Sequence, residues 1–218
     1  MKEFEEILNN KEKMKILARV VAHLMGDGCV TNRYFSYYNK DETLLINYER
    51  DVTGLFGNIH LIRGKVNSGT KLIQVQNKSI LNFLRSLVKD YRSFSLEYPQ
   101  FLDTIELKKE FLKAIFDDEG CVALRIFKKT NEIKRNLEIS SKSKKFLVDI
   151  KNILEKDFEI TSNKIISFER NLGGKIFITW KLSITGKENF IKFRDKINFY
   201  HPSKEDKLDL MIKSYIRK

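Results

Sequence analysis

The sequence predicts an α+β fold made of two pseudosymmetric αββαββα repeats, with antiparallel sheets and helices packed on one face of each. Three observations carry this. The stretch His23-Leu-Met-Gly-Asp-Gly-Cys-Val30 returns as Ile115-Phe-Asp-Asp-Glu-Gly-Cys-Val122, so an acid followed by Gly-Cys-Val occurs twice. Residues 37–45 then parallel 139–147, and 75–81 parallel 184–190, in the same order and at a growing offset, as longer loops in the second copy would produce. Within each copy the apolar period switches between helical and strand-like spacing. The length of 218 residues allows one large domain or two small ones, and 42% hydrophobic residues suffice for a packed core.

Taken in order, residues 13–26 and 108–118 lack Gly and Pro until the last turn and repeat apolar residues at helical spacing; each reads as a helix ended by Gly28 or Gly120. Strands are predicted over 33–38 and 72–76 in the first copy, and over 124–129 and 164–170 in the second. The clearest strand is 176–184, where Ile176, Ile178, Trp180, Leu182 and Ile184 alternate with Phe177, Thr179, Lys181 and Ser183. Residues 43–56, 80–88, 144–158 and 189–197 read as covering helices. The repeats divide the chain into residues 1–105 and 106–218.

Composition excludes several classes. No apolar run reaches the ~18 residues of a membrane span, and the acidic opening Met1-Lys-Glu-Phe-Glu-Glu does not resemble a signal peptide, so a cytoplasmic protein without membrane contact is expected. Cys29 and Cys121 are too few for a disulfide scaffold and lack zinc spacing; they read as small apolar residues opening each first strand. The 41 Lys+Arg exceed the 29 Asp+Glu by 12, most of the excess falling after Ile105, which calls for an anionic partner, a nucleic acid first.

The twin helices carry small residues at four-residue spacing: Ala18, Ala22 and Gly26 in the first, Ala114 in the second. Such residues let helix backbones approach closely. If the helices pack on each other, Asp27 and Glu119 emerge together at one end. Paired carboxylates repel unless a cation lies between them, and a hard divalent ion, Mg²⁺ with Mn²⁺ as substitute, suits oxygen ligands. Beside a phosphodiester such an ion activates water and neutralises the leaving oxygen. Acid pair, basic surface and duplicated sheet suggest a nuclease. His23 shares no ligand spacing with a second His or Cys and reads as a helix-surface or interface residue.

Val20-Val-Ala-His-Leu-Met-Gly-Asp-Gly28 and Phe111-Leu-Lys-Ala-Ile-Phe-Asp-Asp-Glu-Gly120 resemble the signature helices of the LAGLIDADG homing endonucleases in their single-chain, two-repeat form. The segment 197–208 also resembles the closing segment of archaeal members. The resemblance implies signature helices packed at the centre, saddle-shaped sheets in the major groove of double-stranded DNA, and metal-dependent cleavage of both strands at a long asymmetric site. It makes Asp27 and Glu119 the metal-binding acids, aided by backbone near Gly26 and Asp118, with Asn39, Lys40, Lys142 and Lys204 as secondary catalytic residues. Both repeats lie in one chain, so a monomer is expected. The first helix departs from the pattern at His23 and Met25, and the second at Asp118, where the helix contact usually holds Ala or Gly. There, either the interface opens or Asp118 turns outward. An alternative is a non-cleaving DNA- or RNA-binding relative, a transcription regulator or intron maturase. Lacking a nucleophile at residue 1 and a His-Asn end, the chain is not expected to be an intein. A two-carboxylate sugar hydrolase finds no support in so basic a surface.

Major-groove readout needs side chains that reach base edges from a strand face. The candidates are Arg33, Tyr37, Arg63, Lys65, Gln74 and Gln76 in the first repeat, and Arg125, Lys129, Arg135, Arg170, Lys175 and Lys181 in the second.

Overall fold

The computed structural model describes residues 4–127 and 132–215, so Lys129 lies outside the described residues. Its elements run α1 (Glu5–Asn9), α2 (Lys11–Met25), β1 (Gly28–Val30), β2 (Phe35–Asn39), α3 (Glu42–Phe56), β3 (Leu61–Lys65), β4 (Lys71–Val75), α4 (Lys78–Leu87), α5 (Ile105–Glu119), β5 (Gly120–Phe127), β6 (Glu132–Ser141), α6 (Lys144–Asp157), β7 (Ile166–Leu172), β8 (Lys175–Ile184), α7 (Lys187–Lys196) and α8 (Pro202–Lys213). The expected α+β class is what is observed. The first sheet has the order β1-β2-β4-β3 and the second β5-β6-β8-β7, all antiparallel, so one topology occurs twice. No described helix is long and apolar enough to cross a membrane.

Local chemistry explains the helix starts. The Asn10 side chain accepts from the amides of Glu12 and Lys13, so α2 begins two residues earlier than its apolar pattern indicated. Asp41 caps α3 through Thr43 and Leu44, Asn77 caps α4 through Ile80, and Ser143 caps α6 through Phe146. Two short helices, α1 and α8, escaped the periodicity; α8 opens with Pro202 in its first turn, where a missing N–H costs nothing.

The contacts divide the chain into two compact units, residues 1–118 and 119–218. In the first, Leu17, Val20, Val21 and Leu24 of α2, Phe35 and Tyr37 of β2, Leu44, Tyr48 and Val52 of α3, and Phe111, Leu112, Ile115 and Phe116 of α5 are buried together. In the second, Leu137, Ile139, Leu182 and Ile184 are buried with Phe146, Leu147, Ile150 and Leu154 of α6, Phe190 and Phe193 of α7, and Leu208 and Met211 of α8. Burying each such side chain contributes about 1.5–3 kcal/mol relative to leaving it exposed. Strand β6 pairs with β8 only between Leu137–Ile184 and Ser141–Trp180, so the two hairpins run on beyond the shared sheet and leave Ile126, Ile176 and Ile178 exposed. Cys29 and Cys121 stand second in β1 and β5, as expected of residues opening each first strand, Cys29 partly exposed and Cys121 exposed.

Candidate metal and nucleic-acid sites

The end of α2 turns at once into β1: the Gly26 amide donates to the Ala22 carbonyl at 2.9 Å, and the Asp27 carbonyl accepts from the Tyr38 amide at 3.1 Å. This turn presents the exposed Asp27 side chain at the helix end. Asn39, the last residue of β2, brings its Nδ2 to 3.4 Å from Asp27 Oδ2 and donates from the same nitrogen to the Tyr37 hydroxyl at 2.9 Å. Its Oδ1 accepts from the Asp41 amide at 3.0 Å, which fixes which end of the carboxamide faces Asp27.

Asp118 does neither of the two things expected of it. Its side chain is fully buried, with Oδ2 2.9 Å from His23 Nδ1 and Oδ1 accepting from the Tyr37 hydroxyl at 2.6 Å. The cost of burying an acid is met by these partners, and His23 is a buried partner and not a surface residue. The two departures from the signature pattern thus complement each other. Gly26 makes room for the arrangement, because a Cβ there would lie 2.8 Å from Asp118 Cβ and Oδ2. Burial opposes charge on His23, but Asp118, by charge and hydrogen bond, with Asp117 and Asp51 outweighs it and raises the pKa. Burial and the same Asp118 push the Tyr37 phenol far above its usual range, so it stays protonated as a donor. Further along α2, Arg19 holds Asp51 through Nε and Nη2 at 2.6 and 2.8 Å and Glu110 through Nη1 at 2.7 Å, tying α2 to α3 and α5.

Glu119 is exposed at the end of α5. In the second unit, Lys204 of α8 donates from Nζ to the Gly120 carbonyl at 2.6 Å, which puts its ammonium beside the residue following Glu119. Lys40 and Lys142 are exposed at the ends of β2 and β6, and the Ser141 hydroxyl accepts from the Ser143 amide. Among the described residues no three His, Cys, Asp or Glu side chains cluster as a self-sufficient metal site. Asp27 in the first unit and Glu119 in the second each offer an exposed, hard carboxylate donor of the kind that suits Mg²⁺, which keeps several waters and binds through one or two carboxylates.

Register sorts the base-reading candidates by face. In the second sheet Cys121, Arg125, Lys134, Glu138, Lys181, Phe168 and Arg170 alternate with the buried strand residues and lie on the face away from the helices. Lys134, not foreseen, belongs with them. Arg135 sits on the opposite, helix-covered face, which corrects its reading as a base contact: it donates to Ser214 Oγ and the Ser214 carbonyl at 2.7 and 2.8 Å and lies 4.2 Å from the Tyr215 ring centre. Arg135→Ala is expected to destabilise the protein by about 1–2 kcal/mol, read by thermal melting, with no change in the salt slope of DNA binding. The backbone of Lys175 opens β8.

In the first sheet Gln74 lies on the open face and Gln76 is exposed just beyond β4, while Arg33 is exposed in the β1–β2 turn. Three candidates are corrected. Tyr37 is fully buried against His23 and Tyr48. Arg63 shares the helix side with Leu61 and Ile73 and is ion-paired with Glu49 of α3. Lys65 alternates in step with Arg63 and takes the same face.

Lys181 donates to Glu138 at 2.9 Å. Burial pushes Glu138 up, but hydrogen bonds from Lys181 and Asn136 prevail and hold it below the usual carboxylate range. Arg125→Ala is expected to weaken DNA binding evenly across sequences and lower the salt slope by about one. Lys181→Ala should weaken binding more, because it also uncovers the Glu138 carboxylate; filter binding at several salt concentrations checks both.

Residues 106–198 match the family profile described as a LAGLIDADG-like domain. A probable translation initiation factor IF-2 of Methanocaldococcus jannaschii is 31% identical over 195 residues, 87% of this chain but 15% of its own length. The tRNA-splicing ligase RtcB of Pyrococcus furiosus is 25% identical over 94% of the chain and 23% of its own length. The chain therefore spans less than a quarter of either relative. Among solved structures, variants of the homing endonuclease I-DmoI superpose with a TM-score of 0.63 at 17% identity, covering 90% of this chain and 98% of theirs. The N-terminal LAGLIDADG domain of DUF199/WhiA superposes at 0.57 with 15% identity, covering 96% and 94%. The second repeat thus carries a LAGLIDADG-like domain, and the chain as a whole has the two-sheet fold of these structures.

Proposed function

We propose that the chain is a site-specific, divalent-metal-dependent DNA endonuclease that hydrolyses phosphodiesters in both strands of a long target. The observation that carries this reading is the retention of an exposed acid at the end of both signature helices, Asp27 and Glu119, on a chain of charge +12. A protein that only binds DNA gains nothing from carboxylates facing phosphates, which repel them. I-DmoI is known in complex with DNA and Mn or Ca, and in a variant with its target DNA and Mg. The initiation factor and the RNA ligase have unrelated activities, so the stretch shared with both supports neither activity here.

Asp27 and Glu119 would each act as an acid that binds the divalent ion, aided by backbone carbonyls near Gly26 and Asp118. Bound there, it would supply a more acidic water and positive charge at the leaving oxygen. The chain's own groups act around it. Asn39 orients Asp27, and Lys204, held on the Gly120 carbonyl, contributes a fixed ammonium toward the phosphorane charge. Lys40 and Lys142, exposed at corresponding strand ends, place cations for the phosphates. Arg125, Lys134, Arg170 and Lys181 line the open face of the second sheet for the major groove.

The test is to incubate the chain with a randomised duplex library in Mg²⁺ and sequence newly formed ends, with an Asp27→Asn/Glu119→Gln control. A recurrent cut that vanishes in the control is expected. Enriched bound sequences without metal-dependent ends would instead assign the chain to a binding role, since the same fold serves in WhiA as well as in I-DmoI.

A further inference from the structure

We propose that His23, Asp118 and Tyr37 form a buried positioning chain that fixes the Asn39 carboxamide, and through it the Asp27 carboxylate, in one orientation for metal binding. This rests on the metal reading of Asp27 given above. The links are continuous within the first unit: His23 Nδ1 to Asp118 Oδ2 at 2.9 Å, Tyr37 hydroxyl to Asp118 Oδ1 at 2.6 Å, Asn39 Nδ2 to the Tyr37 oxygen at 2.9 Å, and the same Nδ2 to Asp27 Oδ2 at 3.4 Å.

Donor and acceptor roles leave no freedom along this path. A carboxylate accepts only, so Tyr37 must spend its single proton on Asp118. Its oxygen is then left to accept, which selects the N–H end of Asn39. The Asp41 amide independently claims the Asn39 oxygen at 3.0 Å, so both ends of the carboxamide are fixed by groups that cannot reverse. The second N–H of Asn39 is thereby aimed at Asp27. Tyr37 itself is immobilised by packing against His23 and Tyr48, with ring centres 4.8 and 4.7 Å away.

Stability alone does not account for this arrangement. A fully buried aspartate with two polar partners is commonly no more stable than an apolar filling of the same volume. What the polar version adds is a directed hydrogen-bond path that begins in the core and ends at an exposed acid. Outer groups of this kind that orient a metal-binding side chain commonly change metal affinity about 10–100-fold when lost.

The experiment is Mn²⁺ titration of the full chain by calorimetry, for the parent, Asp27→Asn, Tyr37→Phe, Asn39→Ala and Asp118→Asn, each checked for folding by thermal melting. Asp27→Asn is expected to lose the site. Tyr37→Phe and Asn39→Ala are expected to weaken Mn²⁺ about 10–100-fold, and to cleave slowly at low Mn²⁺ but recover at saturating Mn²⁺. Asp118→Asn replaces a carboxylate, which only accepts, with a carboxamide that can turn an N–H toward Tyr37, and is expected to weaken Mn²⁺ binding by up to about tenfold. Asn39 lies at the open end of the path, so its variant reads the proposal even if Tyr37→Phe does not fold. If Asp27→Asn loses Mn²⁺ while Asn39→Ala, or a folded Tyr37→Phe, titrates like the parent, the positioning chain is overturned and the metal site stands. If Asp27→Asn binds Mn²⁺ like the parent, the metal reading fails and takes the positioning role with it.

Discussion

Replacing Asp27 with asparagine is expected to slow cleavage of both strands about a thousandfold, the loss of several kcal/mol of metal-supplied stabilisation at roughly 1.4 kcal/mol per tenfold. The substitution keeps the shape of the side chain and removes only its charge. Because Asp27 is exposed, no folding penalty accompanies the change. Binding without metal should be unchanged or slightly tighter, since a carboxylate that faces phosphates repels them. Linearisation of a supercoiled plasmid carrying the selected site measures the rate, and gel shift in EDTA measures affinity. Parental cleavage by Asp27→Asn would remove this acid from the reaction. A protein that nicks one strand at the parental rate would show that Asp27 serves only the other.

The same contrast between local and distant information decides how much was legible beforehand. The topology is readable because the chain writes its elements twice, once in each repeat and in the same order. In the second sheet Arg125, Arg170 and Lys181 lie on the open face, and strands of seven to ten residues give the alternation that shows it room to appear. The first sheet offered strands of five residues, where a one-residue slip exchanges the faces. Leu61-Ile-Arg-Gly-Lys65 is an example: Leu61 and Ile62 are both apolar, and only the pairing of Leu61 with Val75 sends Arg63 and Lys65 to the helix side. Arg135 misled for a different reason. It stands in alternation with Leu137 and Ile139, on the buried side, and its charge is used to hold Ser214, 79 residues further on. The buried contact between His23 and Asp118 spans 95 residues, and neither residue announces it alone. Each looks like drift from the signature; only as a pair at facing positions do an acid and a base signal a contact.

Gly28→Ala is expected to destabilise the protein by about 3 kcal/mol, at the upper end of overpacking effects, and to lower Tm by roughly 6–12 °C. The chain passes so tightly from α2 into β1 that a Cβ at residue 28 would lie 2.4 Å from Leu24 Cα and 2.6 Å from the Leu24 carbonyl oxygen. Those are helix backbone atoms and cannot rotate away, so the strand must lift off the helix end. For Gly26→Ala the nearest atoms are Asp118 Oδ2 and Cβ, both at 2.8 Å: turning the carboxylate off His23 and Tyr37 relieves the first contact, while the Cβ contact needs a small shift of α5. It should therefore destabilise too, but by less than Gly28→Ala, whose contacts are closer and all to backbone. Gly54, in the last turns of α3 with nothing within 4 Å of an added Cβ, supplies the opposite sign: Gly54→Ala should stabilise by about 0.5–1 kcal/mol through helix propensity and a less flexible unfolded chain. Urea unfolding of the three variants side by side checks the order. A Gly28→Ala protein as stable as the parent would mean that the turn carrying Asp27 opens at no cost, and the close helix-to-strand passage that presents this acid would lose its physical basis.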